Sequence, residues 1–317
     1  MAYDKDVHIY RLHIRPSGGL GDPVFSFAYC LKEKVLGVGW GVHARSKAPL
    51  TWEAYEKTGS KTYGNLREIS RVRYLHDKVR PKDLIWTRNT EGRYYLAKVR
   101  AAKNKAHSDP AWEYYDTPEG RDADIVNVVR CRILPVQKVD DVTGKIVSCF
   151  RPSRVIQSIT DETTVLYSQL LWNQLCGSEE YKLPLIERCD VFSFLDAETT
   201  EDVIFIYLQC NGWIVVPNSR KVDTMGYEFV AIHKKSRERA VVQVKSGDTR
   251  LGADSWGDFK EKVFLFQTHG HYTGVATPNV TKIAPKTVED FMTSNIEIMP
   301  NAVRRWMDFA GKLNSSC

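Results

Sequence analysis

The sequence has no long apolar segment. Its 317 residues are 43% hydrophobic and 26% charged, which is usual for globular domains in water. No apolar run reaches the roughly 18–20 residues that a membrane-spanning helix needs, and Met1–Asp6 is polar, unlike a signal peptide. We therefore expect a cytoplasmic protein with no membrane segment.

Motifs for structural zinc and for nucleotides are also missing. The cysteines are odd in number and form no Cys-x-x-Cys pair, so we expect neither a disulfide framework nor a structural zinc site. The glycine-rich segment Pro16–Pro23 lacks both the Gly-x-Gly-x-x-Gly spacing and the Lys-Ser/Thr of a phosphate-binding loop. A nucleotide cradle is therefore not expected there.

The whole chain has a net charge of +6. Its positive charge is concentrated in the first half. Residues 1–160 contain 28 Lys/Arg against 18 Asp/Glu, whereas residues 161–317 contain 17 against 21. This asymmetry suits a DNA-binding module joined to an acid-rich, metal-dependent module. Lysines that merely keep a surface soluble would give the same balance.

The first half of the sequence is typical of a β-domain with helical insertions, and we expect a small, curved β-barrel. Polar segments predict helices over Thr51–Tyr63 and Asn65–Lys78. A hairpin turn is predicted at Asn89–Gly92. The predicted strands are His8–Ile14, Val35–Gly41, Leu84–Arg88, Arg93–Val99, Ile125–Leu134 and Lys145–Phe150.

The most informative stretch runs from Glu201 to Lys245. A helix is predicted to start at Thr199-Thr200-Glu201-Asp202, where a threonine cap precedes acidic residues, and to end at Asn211-Gly212. Three predicted strands follow, over Trp213–Val216, Tyr227–Ile232 and Ala240–Lys245.

Polar side chains interrupt the last two of these strands. Gln243 and Lys245 alternate with valines and therefore share one face. Glu228 lies among apolar neighbours, where an unpartnered carboxylate is costly, and a hairpin would bring it close to Val244. Asp223 is the rival acid, but it lies roughly 16 Å further along an extended strand. A Glu228–Lys245 salt bridge buried in an ordinary sheet is the alternative interpretation.

These side chains suit metal-assisted phosphodiester cleavage. Mg²⁺ prefers oxygen ligands and keeps several waters, so the Glu228 carboxylate, the Gln243 amide oxygen and the Val244 carbonyl are candidate ligands, with Mn²⁺ as a substitute. Lys245 would orient or deprotonate the attacking water and offset phosphate charge. Glu201, near a helix N-terminus, would reach the ion through water.

The ordered set resembles the Mrr-type restriction endonuclease branch of the PD-(D/E)XK nuclease superfamily. That branch has a helical glutamate before a Gly-aromatic pair, then an aspartate on the next hairpin, then Gln-x-Lys. The matching residues here are Glu201, Gly212-Trp213, Glu228 and Gln243-Val244-Lys245. Glu228 departs from the usual aspartate. The resemblance implies an α/β nuclease core and Mg²⁺-dependent hydrolysis of DNA.

The first half is similar to PUA-like, EVE-type domains, on the motifs Gly37–Gly41, Lys82–Thr87 and Tyr94–Val99. Such domains often bind a flipped, modified base in an aromatic cage. Trp40 and Trp86 are the base-binding candidates that this resemblance implies, because a tryptophan face stacks on a base. A place in the core is the alternative for each.

Arginines near these motifs are candidate contacts to DNA phosphates. They are Arg71, Arg73 and Arg88, for which a solvated face is the alternative.

The pair His269 and His271 suggests a metal site. Because no third ligand is visible in the sequence, we predict that both are loop or DNA-facing residues.

Together these expectations describe a protein of the α/β and β classes. Residues 1–157 form a PUA-like β-barrel with helical insertions, residues 158–184 a helical connector, and residues 185–317 a PD-(D/E)XK α/β nuclease core. We expect a restriction-type, modification-dependent endonuclease that cuts double-stranded DNA as a homodimer or higher oligomer. A non-catalytic nucleic-acid sensor that keeps the nuclease fold and a structure-specific repair nuclease are the alternatives.

Overall fold

The structure is a computed structural model that describes residues 6–42, 50–65, 67–101, 109–150, 154–184, 188–216, 219 and 226–314. Contacts divide the chain into two units. The first unit contains Met1–Val142 with Ile146–Leu183, and the second contains Thr143–Lys145 with Pro184–Cys317. None of the described helices is long and apolar enough to cross a membrane.

The first unit is organised around a curled sheet. Its strands are β1 (Ile9–Leu12), β2 (Val35–Val38), β3 (Leu84–Arg88), β4 (Tyr94–Val99), β5 (Trp112–Tyr114), β6 (Asn127–Pro135) and β7 (Ile156–Ile159). They pair in the order β2-β6-β4-β3-β1-β7, with β5 also beside β6. Within the described residues no pairing joins β2 to β7, so these strands form an open half-barrel rather than a closed ring.

The helices before Leu183 are α1 (Pro23–Glu33), α2 (Trp52–Thr62), α3 (Ser70–Lys78), α4 (Pro118–Asp122), α5 (Gly144–Cys149) and α6 (Glu162–Cys176). The structure confirms the two predicted polar helices as α2 and α3, and the β3–β4 hairpin pairs Leu84 with Lys98 through Arg88 with Tyr94. The strand predicted over Lys145–Phe150 is wrong, because this segment is α5. A short apolar run does not distinguish strand from helix by its periodicity.

The segment predicted as a connector packs into the first unit. Asp161 is the N-cap of α6. Its carboxylate accepts a hydrogen bond from the Thr164 N–H at 2.9 Å, which stabilises the first turn. The Trp86 indole donates to Ser168 Oγ at 2.9 Å, and the Tyr181 hydroxyl donates to the Lys82 carbonyl. The segment Ile146–Leu183 therefore belongs to the same unit as the curled sheet.

The second unit is a mixed sheet with helices. Its strands are β8 (Trp213–Val215), β9 (Phe229–His233), β10 (Arg239–Lys245), β11 (Leu251–Gly252), β12 (Lys262–Gln267), β13 (Tyr272–Thr273) and β14 (Val280–Ile283), and its helices are α7 (Ala197–Cys210), α8 (Pro285–Ser294) and α9 (Asn301–Asn314). The main sheet has the order β14-β12-β10-β9-β8. β10, β12 and β14 run parallel, while β8 and β9 form an antiparallel meander with β10. This arrangement puts the carboxyl ends of β10 and β12 at one edge.

Glu180 joins the end of the α6 segment to the sheet of the first unit. Its carboxylate accepts hydrogen bonds from Lys98 Nζ at 2.6 Å, Trp172 Nε1 at 3.1 Å and Arg132 Nη1 at 3.1 Å. Burial opposes its charge, but the hydrogen bonds from Lys98 and Trp172 outweigh burial and lower the pKa of Glu180 to about 2. The ionised carboxylate therefore stabilises the folded state.

Glu180→Gln should lower the free energy of unfolding by about 1–2 kcal/mol at neutral pH, which is the scale of a charge-assisted hydrogen bond after solvent screening. Because the folded-state pKa lies below the ordinary value of 4.5, this contribution is present above pH 4.5 and is lost as the pH falls toward about 2. Urea unfolding of both proteins at neutral and acidic pH measures the difference. Glu91→Gln, at an exposed pair with Arg93, is the control. A pH-independent difference would contradict a role for the ionised carboxylate.

Candidate active site

The helix that carries Glu201 starts earlier than predicted. Asp196, not a threonine, caps α7, and its carboxylate accepts the Thr199 N–H at 2.7 Å. Thr199 and Thr200 are buried in the first turn instead. Glu201 is half-buried in the second turn, and α7 packs against β8 and β10. Glu201 therefore lies on the helix that supports the strand with Gln243 and Lys245.

The register of the β9–β10 hairpin positions Glu228. Phe229 pairs with Val242, and the Glu228 N–H donates to the Val242 carbonyl at 2.9 Å. Glu228 thus lies beside Gln243, one position from the predicted neighbour Val244. Residues opposite one another in an antiparallel pair point to the same face, so Glu228 shares a face with Gln243 and Lys245.

The three side chains meet at one carboxylate oxygen. Gln243 Nε2 lies 2.5 Å and Lys245 Nζ 3.2 Å from Glu228 Oε1. Gln243 Nε2 also donates to the Val244 carbonyl at 3.2 Å. The structure therefore brings together the carboxylate, amide, carbonyl and ammonium groups that were predicted as one site.

The cluster is open to solvent on one side. The Glu228 side chain is 26% exposed and the Lys245 side chain 41%, whereas Gln243 is buried. An ion pair this exposed contributes only about 0–1 kcal/mol to stability. The salt bridge of the alternative interpretation is therefore present, but it is partly exposed rather than buried.

The donor set fits a hard cation. Glu228 Oε1 and the Val244 carbonyl oxygen both lie within hydrogen-bonding distance of the Gln243 amide, and rotation of that amide presents its oxygen to the same place. Carboxylate and carbonyl oxygens are the ligands that Mg²⁺ prefers. Glu228, Gln243 and the Val244 backbone are therefore the residues that would hold the ion. The rival ligand Asp223 lies outside the described residues.

Trp86 does not occupy a position where a base can stack. Its side chain has no exposed surface, and its indole N–H is bonded to Ser168. Ser168 lies on α6, which was predicted to be part of a connector. The core alternative therefore describes Trp86, and the two tryptophans do not form an exposed cage.

Trp40 is partly exposed at a strained turn after β2. Its φ angle is 59°, in the left-handed region that costs a side-chain-bearing residue about 1–3 kcal/mol. Its carbonyl accepts hydrogen bonds from the Tyr55 hydroxyl at 2.9 Å and from Asn127 Nδ2 at 3.2 Å. On the preceding residue, a Cβ would lie 2.0 Å from Asp124 Oδ1, so this position requires Gly39. The surrounding structure holds Trp40 in this conformation.

The predicted phosphate contacts have different surroundings. Arg71 is exposed on α3, and its guanidinium donates to Ser70 Oγ at 2.8 Å. Arg73 forms an ion pair with Glu56. The Arg88 guanidinium lies over the Phe150 ring, 5.1 Å from its centroid. Arg71 is thus the most accessible of the three.

The sequence did not reveal a third group beside His269 and His271. In the structure, Asp248, His269 and His271 each offer a ligand atom, and these atoms lie within 4.8 Å of one another. Asp248 follows β10 and the histidines follow β12, so the parallel pairing of these strands brings the three together. The available signal was the placement of Asp248 just after the predicted strand Ala240–Lys245.

Comparisons with known proteins give no family. No protein-family model and no curated protein matches the chain. Among solved structures, a DNA modification-dependent restriction endonuclease, AspBHI, aligns with 86% of this chain and 78% of its own, with 11% sequence identity and a TM-score of 0.21. A likeness this low establishes no shared function, so the geometry of the chain itself has to supply the functional evidence.

Trp86→Ala should destabilise the protein by about 3–5 kcal/mol, because this side chain is fully buried and its loss leaves a cavity. Urea unfolding followed by circular dichroism measures the loss. Trp256→Ala is the matched control at a partly exposed tryptophan and should cost much less. A wild-type unfolding midpoint for Trp86→Ala would contradict the core position.

Proposed function

We propose that the protein is a metal-dependent DNA endonuclease of restriction type, with its active site at Glu228, Gln243, Val244 and Lys245. The observation that carries the proposal is the meeting of Gln243 Nε2 and Lys245 Nζ at Glu228 Oε1, at distances of 2.5 Å and 3.2 Å. The cluster is open to solvent on one side, which gives a DNA phosphate and a hydrated ion access to it.

Each residue has a role in phosphodiester hydrolysis. A water oxygen bonds to phosphorus, one P–O bond of DNA breaks, and the leaving oxygen takes up a proton. Glu228, the Gln243 amide oxygen and the Val244 carbonyl would hold Mg²⁺ or Mn²⁺, which supplies Lewis-acid activation when bound. The Glu228 carboxylate positions Lys245 Nζ, which offsets phosphate charge and orients the water. Glu201 supports the site from α7 through water.

The first unit supplies recognition in this proposal. Its half of the sequence carries the excess of positive charge, which favours contact with the DNA backbone. Trp40 is the candidate for stacking on a flipped, modified base, since strained residues held by their surroundings are often functional. Arg71, Arg73 and Arg88 are the candidate phosphate contacts. Because two strands must be cut, we propose that the protein acts as a homodimer or higher oligomer.

A non-catalytic sensor of nucleic acid is the second candidate. The observation that favours it is Glu228 itself, whose hydrogen bonds to Gln243 and Lys245 satisfy both partners without an ion. DNA binding by the wild type without cleavage in Mg²⁺ or Mn²⁺ would support this candidate. Cleavage of flaps or junctions, but not of modified duplexes, would instead support a structure-specific repair nuclease.

Lys245→Ala should reduce Mg²⁺-dependent cleavage at least about 100-fold, because it removes the cation that faces the reacting phosphate. DNA binding should persist, since recognition is assigned to the other unit. Cleavage of modified and unmodified duplexes, with gel-shift binding in parallel, measures both. Lys235→Ala, at an exposed lysine in the β9–β10 turn, is the matched control. Wild-type cleavage by Lys245→Ala would contradict the site.

Glu228→Asp tests whether the site has adjusted to glutamate. The substitution shortens the side chain by roughly 1.5 Å, so one carboxylate oxygen no longer reaches both Gln243 and Lys245. We expect cleavage to slow by about 100-fold, and Glu228→Gln to abolish it. Cleavage that survives in Glu228→Gln but is lost in Asp223→Asn would assign the metal to Asp223 instead.

Trp40→Gly tests base recognition without unfolding the turn, because glycine adopts a φ of 59° without strain. Affinity for the preferred modified DNA, measured per folded molecule, should fall by about 1–3 kcal/mol. Relief of the strained φ angle offsets part of the packing that Trp40 loses against the core, so the melting temperature should fall less than in Trp86→Ala. Fluorescence anisotropy on a panel of modified duplexes measures the change. Equal affinity of variant and wild type for every duplex would remove Trp40 from the proposal.

A further inference from the structure

A second cluster of ligating side chains lies beyond the carboxyl ends of β10 and β12. Asp248, His269 and His271 are exposed, and their ligand atoms lie within 4.8 Å of one another. The two imidazole rings are 5.6 Å apart between centroids. None of these three residues belongs to the proposed nuclease site.

Gln267 fixes the two turns that carry this cluster. The residue is completely buried. Its side-chain amide forms hydrogen bonds to the turn after β10 and to the turn after β12. Its Nε2 donates to the Gly247 carbonyl at 2.6 Å, while its Oε1 accepts the N–H groups of His269 at 2.7 Å and His271 at 2.9 Å. A buried amide with all these bonds made is a rigid element, so the ligand-bearing backbone is held before any ion binds.

Further backbone hydrogen bonds hold the same two turns together. The Leu251 N–H donates to the His271 carbonyl at 3.0 Å, and the Thr268 N–H donates to the Lys245 carbonyl at 3.1 Å. Gly247 and Gly270 have φ angles of 64° and 71°, which residues with a Cβ rarely adopt. The segments before Asp248 and between the histidines can therefore turn tightly.

His269 is oriented as metal-binding histidines are. Its Nδ1 lies 2.9 Å from the Gly247 carbonyl oxygen, and because a carbonyl only accepts, Nδ1 carries the proton. The lone pair is then on Nε2, which accepts a hydrogen bond from Ser193 Oγ at 3.1 Å. A backbone carbonyl that fixes the tautomer of a histidine is a regular feature of metal centres. An ion would replace the Ser193 hydroxyl at Nε2.

We propose that Asp248, His269 and His271 bind a divalent transition metal ion of the zinc class. Two imidazoles and one carboxylate suit Zn²⁺ and its neighbours, whereas Mg²⁺ prefers oxygen ligands alone. Three protein ligands leave a coordination position for water or for an oxygen of a phosphate. The site does not depend on the nuclease assignment, since none of its three ligands belongs to the proposed nuclease site and Lys245 supports it only through its backbone carbonyl.

Calorimetric titration of the full, metal-stripped chain with Zn²⁺ tests the proposal. In excess Mg²⁺, which would occupy the proposed Glu228 site, we expect one Zn²⁺ per chain. We expect His271→Ala and Asp248→Asn to weaken its binding by more than about 100-fold, because loss of even an outer-shell partner costs about 10–100-fold. Mg²⁺ in excess should not compete. The visible absorption of bound Co²⁺ gives a second readout, which should change from a protein-ligated to an aqueous spectrum in His271→Ala.

Matched variants distinguish this site from zinc binding elsewhere on the chain. His8→Ala, which removes an exposed histidine beside a single carboxylate, should bind Zn²⁺ like the wild type. So should Glu228→Gln, whose change lies in the proposed nuclease site. Ser193→Ala should bind equally well or more tightly, because it removes the group that competes for Nε2.

The proposal is overturned if the wild type binds no Zn²⁺, or if His271→Ala and Asp248→Asn bind it as the wild type does. Loss of binding in Glu228→Gln but not in His271→Ala would also overturn it, by placing the ion in the other site. Circular dichroism of each metal-free variant confirms its fold. Because the three ligands are exposed, we expect unchanged melting temperatures in the absence of metal.

Discussion

The pairing register between β9 and β10 is the constraint on which the candidate active site depends. Side chains alternate between the two faces of a strand, so a slip of one residue would turn Glu228 away from Gln243 and Lys245. The pairing of Phe229 with Val242 prevents this, because both are completely buried. Hydrophobic burial in the sheet therefore sets the position of a polar cluster that contributes little stability itself.

The parallel pairing of β10 with β12 is the second constraint on this unit. It places Lys245 beside Gln267, so the segments after both strands leave the sheet at one edge. The carboxyl ends of parallel strands commonly carry binding groups for this reason. Here Lys245 ends β10 at the edge where the Asp248–His269–His271 cluster follows β10 and β12, and the buried Gln267 bonds the two turns that carry the cluster.

Close backbone contacts in the first unit set the conformation of the turn that carries Trp40. A Cβ on residue 37 would lie 2.2 Å from the Asn127 carbonyl oxygen, so that position requires Gly37. The Tyr63 hydroxyl donates to the Gly41 carbonyl at 2.7 Å, just beyond Trp40. The groups that approach these glycines closely belong to the chain itself. The result is a strained turn at which Trp40 lies partly buried against the core of the first unit.

Sequence patterns alone determined most of the local structure and the grouping of the polar residues. The alternation of Gln243 and Lys245 with valines is a property of any strand, and it identified their common face correctly. The hairpin of β3 and β4 and the helices α2 and α3 also follow from local patterns. The cap at Asp196 and the helix α5 were missed, because short segments with mixed propensity take their structure from the contacts around them.

Tertiary structure alone decided which residues are covered and which distant residues meet. The sequence could not distinguish an exposed Trp86 from a buried one, since burial depends on distant parts of the chain. Its indole, for example, is hydrogen-bonded to Ser168 on α6, more than 70 residues away along the chain. It also could not join Asp248 to His269 and His271, because the parallel pairing of β10 and β12 is a long-range contact that no local period encodes. Local sequence sets the direction in which a side chain points. Whether that side chain is buried, and which distant residues it contacts, depends on how the whole chain packs.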